Sequence, residues 1–384
     1  MANKDPVKVG VLYSKTGATS AIESSQHLGT LLAIEEINAG GGIDGRELLA
    51  VEYDPASNPA LFRTLAERLV AADNVQVIFG CYMSSTRKAV IPVVEKYNRL
   101  LFYSTLYEGF EFSNNIIYTG AAPNQNSVQL ADFMMSSFGG RVYLVGSDYI
   151  YPYESNRIMS DLVNQRPGGV TLAQRYVPLD AGPEDFSEIV EEIRVMEPDF
   201  IFSTVVGNAT QHFYRAYAEA GLNPKKMPIS SLTTSEVEVD QMGAAAAAGH
   251  FTAAPYFASI DSPENLRVVG RFRSRFGDAV QPTACWEAAY FQVHMFANAM
   301  RAAGSDVVPV LMPALLGSEF AAPQGRVRIE PGNHHTHLFP RIGRVNSKGE
   351  FAIVRASKTA VAPDPYLVTH SLGDWTLALD SLQD

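Results

Sequence analysis

Apolar runs of strand length alternate with helix-period patterns along almost the whole of this chain, and that alternation is its strongest constraint on fold. Val7–Tyr13 reads as a strand and Ile22–Asn38 as a helix with Leu28, Leu31, Leu32, Ala33 and Ile37 on its apolar stripe. Arg46–Tyr53 is a strand, Pro59–Ala72 a helix and Val75–Phe79 a buried strand. A second series starts near Asn124, with helices at Gln125–Phe138, Glu154–Val163, Glu184–Met196 and Ala209–Ala220 between strands at Arg141–Gly146, Val170–Val177, Asp199–Thr204 and Met227–Leu232. Alternation of this kind predicts parallel sheets with helices on both faces. At 384 residues, the chain is long enough for two such α/β lobes.

Later strand patterns at Gly249–Tyr256, Arg326–Glu330, Arg341–Val345 and Phe351–Arg355 make each lobe discontinuous. Crossovers are expected at Thr119–Asn124, Tyr256–Asp261 and Glu330–Gly332. The N-terminal lobe then comprises 1–121 plus 257–330, and the C-terminal lobe 122–256 plus 331–384, joined by three crossovers around a cleft. Ala244–Ala248 reads as a small-residue loop or helix end.

Two strand ends in the first lobe carry the most polar chemistry. Gly80-Cys81-Tyr82-Met83-Ser84-Ser85-Thr86 joins a strand to a helix whose stripe is Ala89, Val90, Val93 and Val94. The free N–H groups and partial positive charge of a helix start favour small polar ligands there. Leu100–Gly109 brings Tyr103, Thr105 and Tyr107 to the next strand end. In the second lobe, Gly146-Ser147-Asp148-Tyr149-Ile150-Tyr151-Pro152-Tyr153 forms the corresponding strand-to-helix passage. Helix capping by Ser84 or Ser85 and simple packing of the tyrosines are the plain alternatives, but buried tyrosine hydroxyls need partners.

Other features carry less. A net charge of −11 argues against direct nucleic-acid binding, which needs a basic surface. Gly40, Gly42 and Gly45 match G-x-G-x-x-G, but after a helix and before a strand, the reverse of a dinucleotide site. His334, His335 and His337 stand in a loop without acidic or thiol ligands at useful spacing, which favours structural roles, and no metal or cofactor is expected. Cys81 with Ser84 lacks the base and orienting group of a nucleophilic hydrolase, and no G-x-S-x-G is present, so no enzymatic activity is expected. Cys81 and Cys285 are read as buried free thiols. Thr233-Thr234-Ser235-Glu236 fits a capping box with Thr233 as the N-cap. The N-terminal residues run directly into the first strand without an apolar leader core, which predicts a cytoplasmic protein, or a periplasmic one whose leader has been replaced.

Taken with their neighbours, these residues resemble the type I periplasmic-binding-protein family, and within it the amide-sensing negative regulators of aliphatic amidase operons. The resemblance spans nearly the whole chain. It is carried by Gly80–Ser84, Thr86–Val90, Tyr107–Glu111, Ala122–Ser127, Gly146–Pro152, Ser203–Gly207, Ser231–Glu236 and Pro363–Tyr366. Related urea and short-amide transport components usually carry Trp-Thr where Tyr82-Met83 stand here. The resemblance implies a non-enzymatic amide pocket formed by Tyr82, Ser84, Tyr103 and Thr105 from the first lobe with Tyr149, Tyr151 and Thr204 from the second. In that pocket Ser84 donates to the amide oxygen and Thr105 or Tyr149 accepts from the NH2. The chain departs from the sensors' pattern at Ser104 and Leu106, where they have prolines. As a sensor, the protein is expected to bind a small acetamide-like amide and to hold an RNA-binding antitermination regulator until amide releases it. The alternative is the substrate-binding subunit of an ABC importer for short-chain amides or urea, docking on a membrane permease. A homo-oligomer is compatible with either.

Overall fold

The computed structural model describes residues 5–109 and 111–367. Along the first stretch lie β1 (Val7–Leu12), α1 (Ser20–Ala39), β2 (Leu48–Tyr53), α2 (Pro59–Ala71), β3 (Val77–Gly80), α3 (Ser84–Lys96), β4 (Leu100–Tyr103) and β5 (Ile116–Tyr118). Next come α4 (Ser127–Phe138), β6 (Arg141–Ser147), α5 (Ile150–Asn164), β7 (Val170–Val177), α6 (Ser187–Met196), β8 (Phe200–Thr204), α7 (Ala209–Glu219), β9 (Ile229–Ser231), α8 (Glu236–Met242), α9 (Ala244–Ala247) and β10 (Phe251–Ala254). The chain continues through α10 (Pro263–Phe276), α11 (Ala284–Ala303), α12 (Val308–Leu315), β11 (Glu319–Ala322), β12 (Gly325–Ile329) and β13 (Thr336–His337), and then β14 (Arg341–Val345) and β15 (Phe351–Ala356).

Two compact units result. The first comprises Met1–Ala121 with Asp261–Leu338, the second Ala122–Ile260 with Phe339–Asp384. The sequence-based boundaries at 257 and 331 therefore shift. Residues 257–260 stay with the second unit, where the Phe257 ring lies 4.8 Å from that of Phe351. Residues 331–338 stay with the first, because β13 pairs antiparallel with β12 and Tyr118 bridges to His335.

The first unit holds a five-stranded sheet in the order β2-β1-β3-β4-β5, with every pairing parallel. Helices cover both faces of such a sheet, so its strands are apolar throughout rather than alternating. Val77, Ile78, Phe79, Leu100, Leu101, Phe102, Ile116 and Ile117 are all fully buried. The second unit has seven strands in the order β15-β14-β10-β9-β8-β6-β7. Its five central and β7-side strands are parallel, and β14 and β15 add antiparallel at one edge.

In each unit the strand order reverses once, between β1 and β3 in the first and between β6 and β8 in the second. Open α/β sheets bind ligands beyond the carboxyl ends of the strands at such a switch point. The Gly80–Thr86 turn follows β3, and the Asp148–Tyr151 turn follows β6.

Candidate functional site

Each unit's site residues are described within that unit. In the first, the turn after β3 is sharp because the chain is packed against β1. A Cβ on Gly80 would lie 2.5 Å from the Leu12 carbonyl oxygen. The following residue, Cys81, has φ +69°, a left-handed conformation costly for a side chain, and its N–H donates to that same carbonyl at 3.1 Å. Burial pushes the Cys81 thiol pKa upward, so it stays protonated and unreactive. Met83 then adopts an extended N-cap conformation (φ −69°, ψ 145°) with no side-chain cap. Its carbonyl accepts from the Thr86 and Arg87 N–H groups and from Thr86 Oγ1. Ser84 therefore opens α3 as its first helical residue, buried, and the Ser84 and Ser85 N–H groups belong to the set that a helix start leaves without intrahelical carbonyls.

Tyr82, Tyr103 and Arg87 form the support of this turn. Tyr82 is buried, and its carbonyl accepts from the Tyr103 hydroxyl at 2.7 Å. The Tyr103 ring is fully buried in the apolar core and lies 4.6 Å from the Arg87 guanidinium carbon. Arg87, itself fully buried, pairs with Glu108 at 2.8 Å and with Glu111. Tyr103 is thus turned inward as a strut beneath Tyr82. The neighbouring Phe110, part of the family-like Tyr107–Glu111 stretch, lies outside the described residues.

Thr105 stands just past β4 and is 5% exposed. Its Oγ1 accepts from Gln26 Nε2 at 3.0 Å, and the other Nε2 hydrogen reaches Ser104 Oγ at 2.9 Å. Ser104 Oγ also lies 3.1 Å from the Tyr13 hydroxyl, which accepts from Gln292 Nε2 at 3.2 Å. Beside this network, Glu23 is buried, accepting from Ser14 N–H at 2.7 Å and from Thr19 Oγ1 at 2.6 Å. Burial raises its pKa to about 7.

Sequence reasoning missed Gln26, Glu23 and Tyr13. The available signal was their spacing: Glu23, Gln26 and Thr30 recur at i, i+3 and i+7 on α1 and are all buried, a polar stripe on a face that the apolar pattern of Leu28 and Leu31 obscured. Leu28 and Leu31 are only half-buried.

In the second unit, Tyr149 is the extended N-cap residue of α5 and is half-buried. Its ring lies 6.1 Å from that of the buried Tyr151. Tyr153 points elsewhere, stacking on Tyr176 at 4.0 Å and donating to Asp148 at 2.9 Å. Thr204 is fully buried, with Oγ1 3.0 Å from Asn156 Oδ1 and 3.3 Å from the Val145 carbonyl. It clips β8 to β6 and α5 within the unit, and its hydroxyl is committed there. The helix after β9 begins two residues later than expected. Ser235, not Thr233, is the N-cap of α8, with Glu238 accepting from Ser235 N–H at 2.8 Å. Glu236 is released from that role and accepts from Ala258 N–H at 2.8 Å; burial raises its pKa to about 7.

The histidine loop is internal to the first unit. His334 Nδ1 lies 3.2 Å from the Ile116 carbonyl oxygen, His335 stacks on Tyr118 at 4.2 Å, and His337 pairs with Glu330 at 2.8 Å. Burial and the Arg87 charge hold the His335 imidazole neutral. Among the described residues no group of three His, Cys, Asp or Glu side chains is placed to hold a metal ion, and no helix is long and apolar enough to cross a membrane. Cys285 is partly exposed rather than buried as expected, and neither Cys81 nor Cys285 is in a disulfide.

The family described as periplasmic binding protein domain matches residues 7–372. This chain belongs to the periplasmic-binding-protein family. It is 26% identical over 340 residues to Leu/Ile/Val-binding protein homolog 6 of Brucella melitensis biotype 1, covering 87% of this chain and 86% of that protein. It is 23% identical over 327 residues to the leucine-, isoleucine-, valine-, threonine- and alanine-binding protein of Pseudomonas aeruginosa, covering 84% and 85%. Among solved structures, a solute-binding protein of an ABC transporter from Rhodopseudomonas palustris HaA2 in complex with p-hydroxybenzoic acid superposes with a TM-score of 0.85 at 23% identity, covering 95% of this chain and all of that one. The periplasmic-binding-protein relatives that span most of the chain are binding proteins rather than enzymes, and the two-lobed type I α/β fold is shared with the solved structures.

Proposed function

We propose that this chain is the solute-binding component of an ABC importer for a small neutral carbonyl compound, a short-chain amide or urea, acting in the periplasm and delivering to a membrane permease. The observation that carries the reading is the strand-end constellation of the first unit, where the start of α3 with Ser84 and the Thr105 hydroxyl both follow strands at or beside the switch point. Arg87, buried behind the turn, is neutralised by Glu108 and Glu111, which favours a neutral oxygen acceptor over a strongly anionic ligand. Tyr149 and Tyr151 stand at the second unit's own switch point, at the start of α5 after β6. A solute-binding role is also supported by the amino-acid-binding relatives and by the solute-binding protein in complex with p-hydroxybenzoic acid.

A small ligand limits affinity. An amide of about four heavy atoms reaches at most about −6 kcal/mol, a dissociation constant of tens of micromolar. Ser84→Ala is expected to weaken acetamide, propionamide or urea binding about 5- to 150-fold, from the loss of one donor to a buried acceptor, with the melting temperature nearly unchanged. Calorimetry that finds unaltered affinity together with a lowered melting temperature makes Ser84 a helix-start residue only.

The motif resemblance at Gly80–Ser84 and Gly146–Pro152 favours a second reading, a cytoplasmic amide sensor that holds an RNA-binding antitermination regulator. Amide-dependent release of such a partner supports the sensor. Amide-dependent stimulation of permease ATPase activity supports the importer.

A further inference from the structure

We infer that the peptide joining the two units at Ala121–Ala122 is a clamped hinge, and that the C-terminal stretch Val361–Asp364 is a strap that keeps the clamp closed through Gln125. The inference is independent of which solute the protein binds.

Relative motion is the default between two units of one chain, and it is taken up at the few residues where the chain passes from one to the other. The first such passage lies between Ala121 of the first unit and Ala122 of the second. One peptide group therefore belongs to both. Its carbonyl, on Ala121, accepts from the Tyr107 N–H of the first unit at 2.9 Å. Its N–H, on Ala122, donates to Gln125 Oε1 of the second unit at 2.9 Å. Both alanines are buried, so turning this peptide plane leaves a buried backbone group unpaired, which is costly.

The two halves of the clamp differ in kind. On the first-unit side the chain is laid backbone to backbone. The Thr119 N–H donates to the Tyr103 carbonyl at 2.9 Å, and a Cβ on Gly120 would meet the Thr105 carbonyl oxygen at 2.0 Å. On the second-unit side Pro123 favours the extended backbone that Ala122 adopts (φ −79°, ψ 162°), and the bond to the Ala122 N–H comes from a side chain. A side chain lets go by changing rotamer, whereas a backbone pairing must unzip its neighbours. Gln125 is therefore the release point.

The C-terminal stretch holds that side chain in place. Gln125 Nε2 donates to the Val361 carbonyl at 2.8 Å. The adjacent Asn124 bonds the same stretch twice, with Nδ2 donating to the Ala362 carbonyl and Oδ1 accepting from the Asp364 N–H, both at 2.8 Å. These partners are backbone groups that can only donate or only accept, so they fix the orientation of both side-chain amides. Asn124, Gln125 and Asp364 are all buried. The bonded residues are 236 to 240 positions apart, and they fall in Ala122–Ser127 and at Pro363–Tyr366 and its border, two stretches of the family resemblance to which solute binding gives no role. Loosening the strap removes a bond that restrains Gln125 and lowers the cost of freeing the Ala122 N–H.

Amide hydrogen exchange of the unliganded full chain tests both halves, with Leu144 of β6 as a core reference. In Gln125→Met the Ala122 amide is expected to exchange about tenfold faster while Leu144 is unchanged; unchanged exchange at Ala122 overturns the clamp. Asn124→Leu weakens the strap and keeps Gln125, and Ala122 is expected to exchange about threefold faster; full protection there overturns the role of the strap. If a variant also loses protection at Leu144, the unaltered protein decides. In low guanidinium chloride its Ala122 and Asp364 amides are expected to open together, at a lower free energy than Leu144, and Ala122 opening while Asp364 stays protected overturns the coupling. The hinge is read by electron–electron distance measurement between spin labels at Leu61→Cys and Val195→Cys, both exposed sites, in a Cys285→Ser background. Gln125→Met is expected to widen the distance distribution, and equal widths overturn the hinge role.

Discussion

The two strand-end clusters are built on opposite principles. In the first unit, Tyr13, Gln26, Ser104, Thr105, Thr119 and Gln292 interlock through hydrogen bonds between side chains drawn from α1, α11 and the ends of three strands. In the second, Tyr149 and Tyr151 come from a single turn, and the one hydroxyl expected beside them, Thr204, is spent holding β8 to α5. A network of interlocked polar side chains holds each of its members in place. A tyrosine pair on one helix start offers mainly ring surface with a hydroxyl at each tip. The proposed function draws its polar recognition from the first unit's cluster.

Removal of Arg87 attacks the rigid side most severely. Arg87→Ala strands Glu108, buried to 2% exposure, and Glu111 without their partner. Breaking a buried pair in this way costs about 3–5 kcal/mol. Thermal denaturation without ligand is expected to show that loss. A loss below about 1 kcal/mol would mean that the Arg87 ion pairs are not a structural support of the Tyr82 turn.

Glu23 in the first unit and Glu236 in the second, the latter near Glu238, whose pKa burial also raises, allow the comparison to be made by pH. Burial makes Glu23 bind its proton more tightly when folded, about 7 against an ordinary 4.5. Its contribution to stability is therefore fully present below pH 4.5 and is lost as pH rises through 7. The loss is on the order of 3 kcal/mol, and Glu23→Gln should flatten that part of the stability profile between pH 5 and 8. Glu236 is only half-buried by its side-chain position, so Glu236→Gln is expected to flatten the profile less. Equal effects of the two would erase this distinction between the units.

The fold was legible in the sequence because parallel strands covered on both faces are apolar without interruption, and the helices between them keep a 3.6-residue period. β5 was not, since three residues carry too little pattern, nor was α12, whose Pro309 and Pro313 interrupt a helical reading. Within the site, Ser84, Thr105 and Tyr149 were legible as polar residues at strand ends. Tyr103 and Thr204 were named with them, but which side of a strand end a side chain faces depends on its neighbours: Tyr103 turns onto Arg87 and Thr204 onto Asn156. Gln26 was marked only by its place on the polar stripe of α1, and its partners, 78 and 79 positions away, were not legible. Ser104, marked in the sequence only as a departure from the sensors' proline, is the residue on which that network converges.

Thr204→Val separates an internal hydroxyl from a ligand contact. The change keeps the shape and leaves Asn156 Oδ1 and the Val145 carbonyl one donor short, at a cost of about 1–3 kcal/mol in stability. Affinity for acetamide is expected to stay within twofold of the unaltered protein. A tenfold fall in affinity at unchanged stability would return Thr204 to the site and make the second unit a polar contributor after all.

Tyr149→Phe should have the smallest effect and is the sharpest test of the second unit's role. Tyr149 caps α5 through its extended backbone, with no cap bond from its side chain, so removing the hydroxyl takes nothing from the helix. Stability should change by less than about 0.5 kcal/mol, as for a partly exposed position outside the core. If the tyrosine contributes surface alone, affinity for acetamide should fall no more than about threefold, because the ring remains. Tyr149→Ala, which removes the ring, should then cost clearly more than Tyr149→Phe in the same calorimetric titration. If Tyr149→Phe instead costs as much as Ser84→Ala, the hydroxyl is the partner that the amide NH2 requires, and polar recognition is shared between the two units rather than confined to the first.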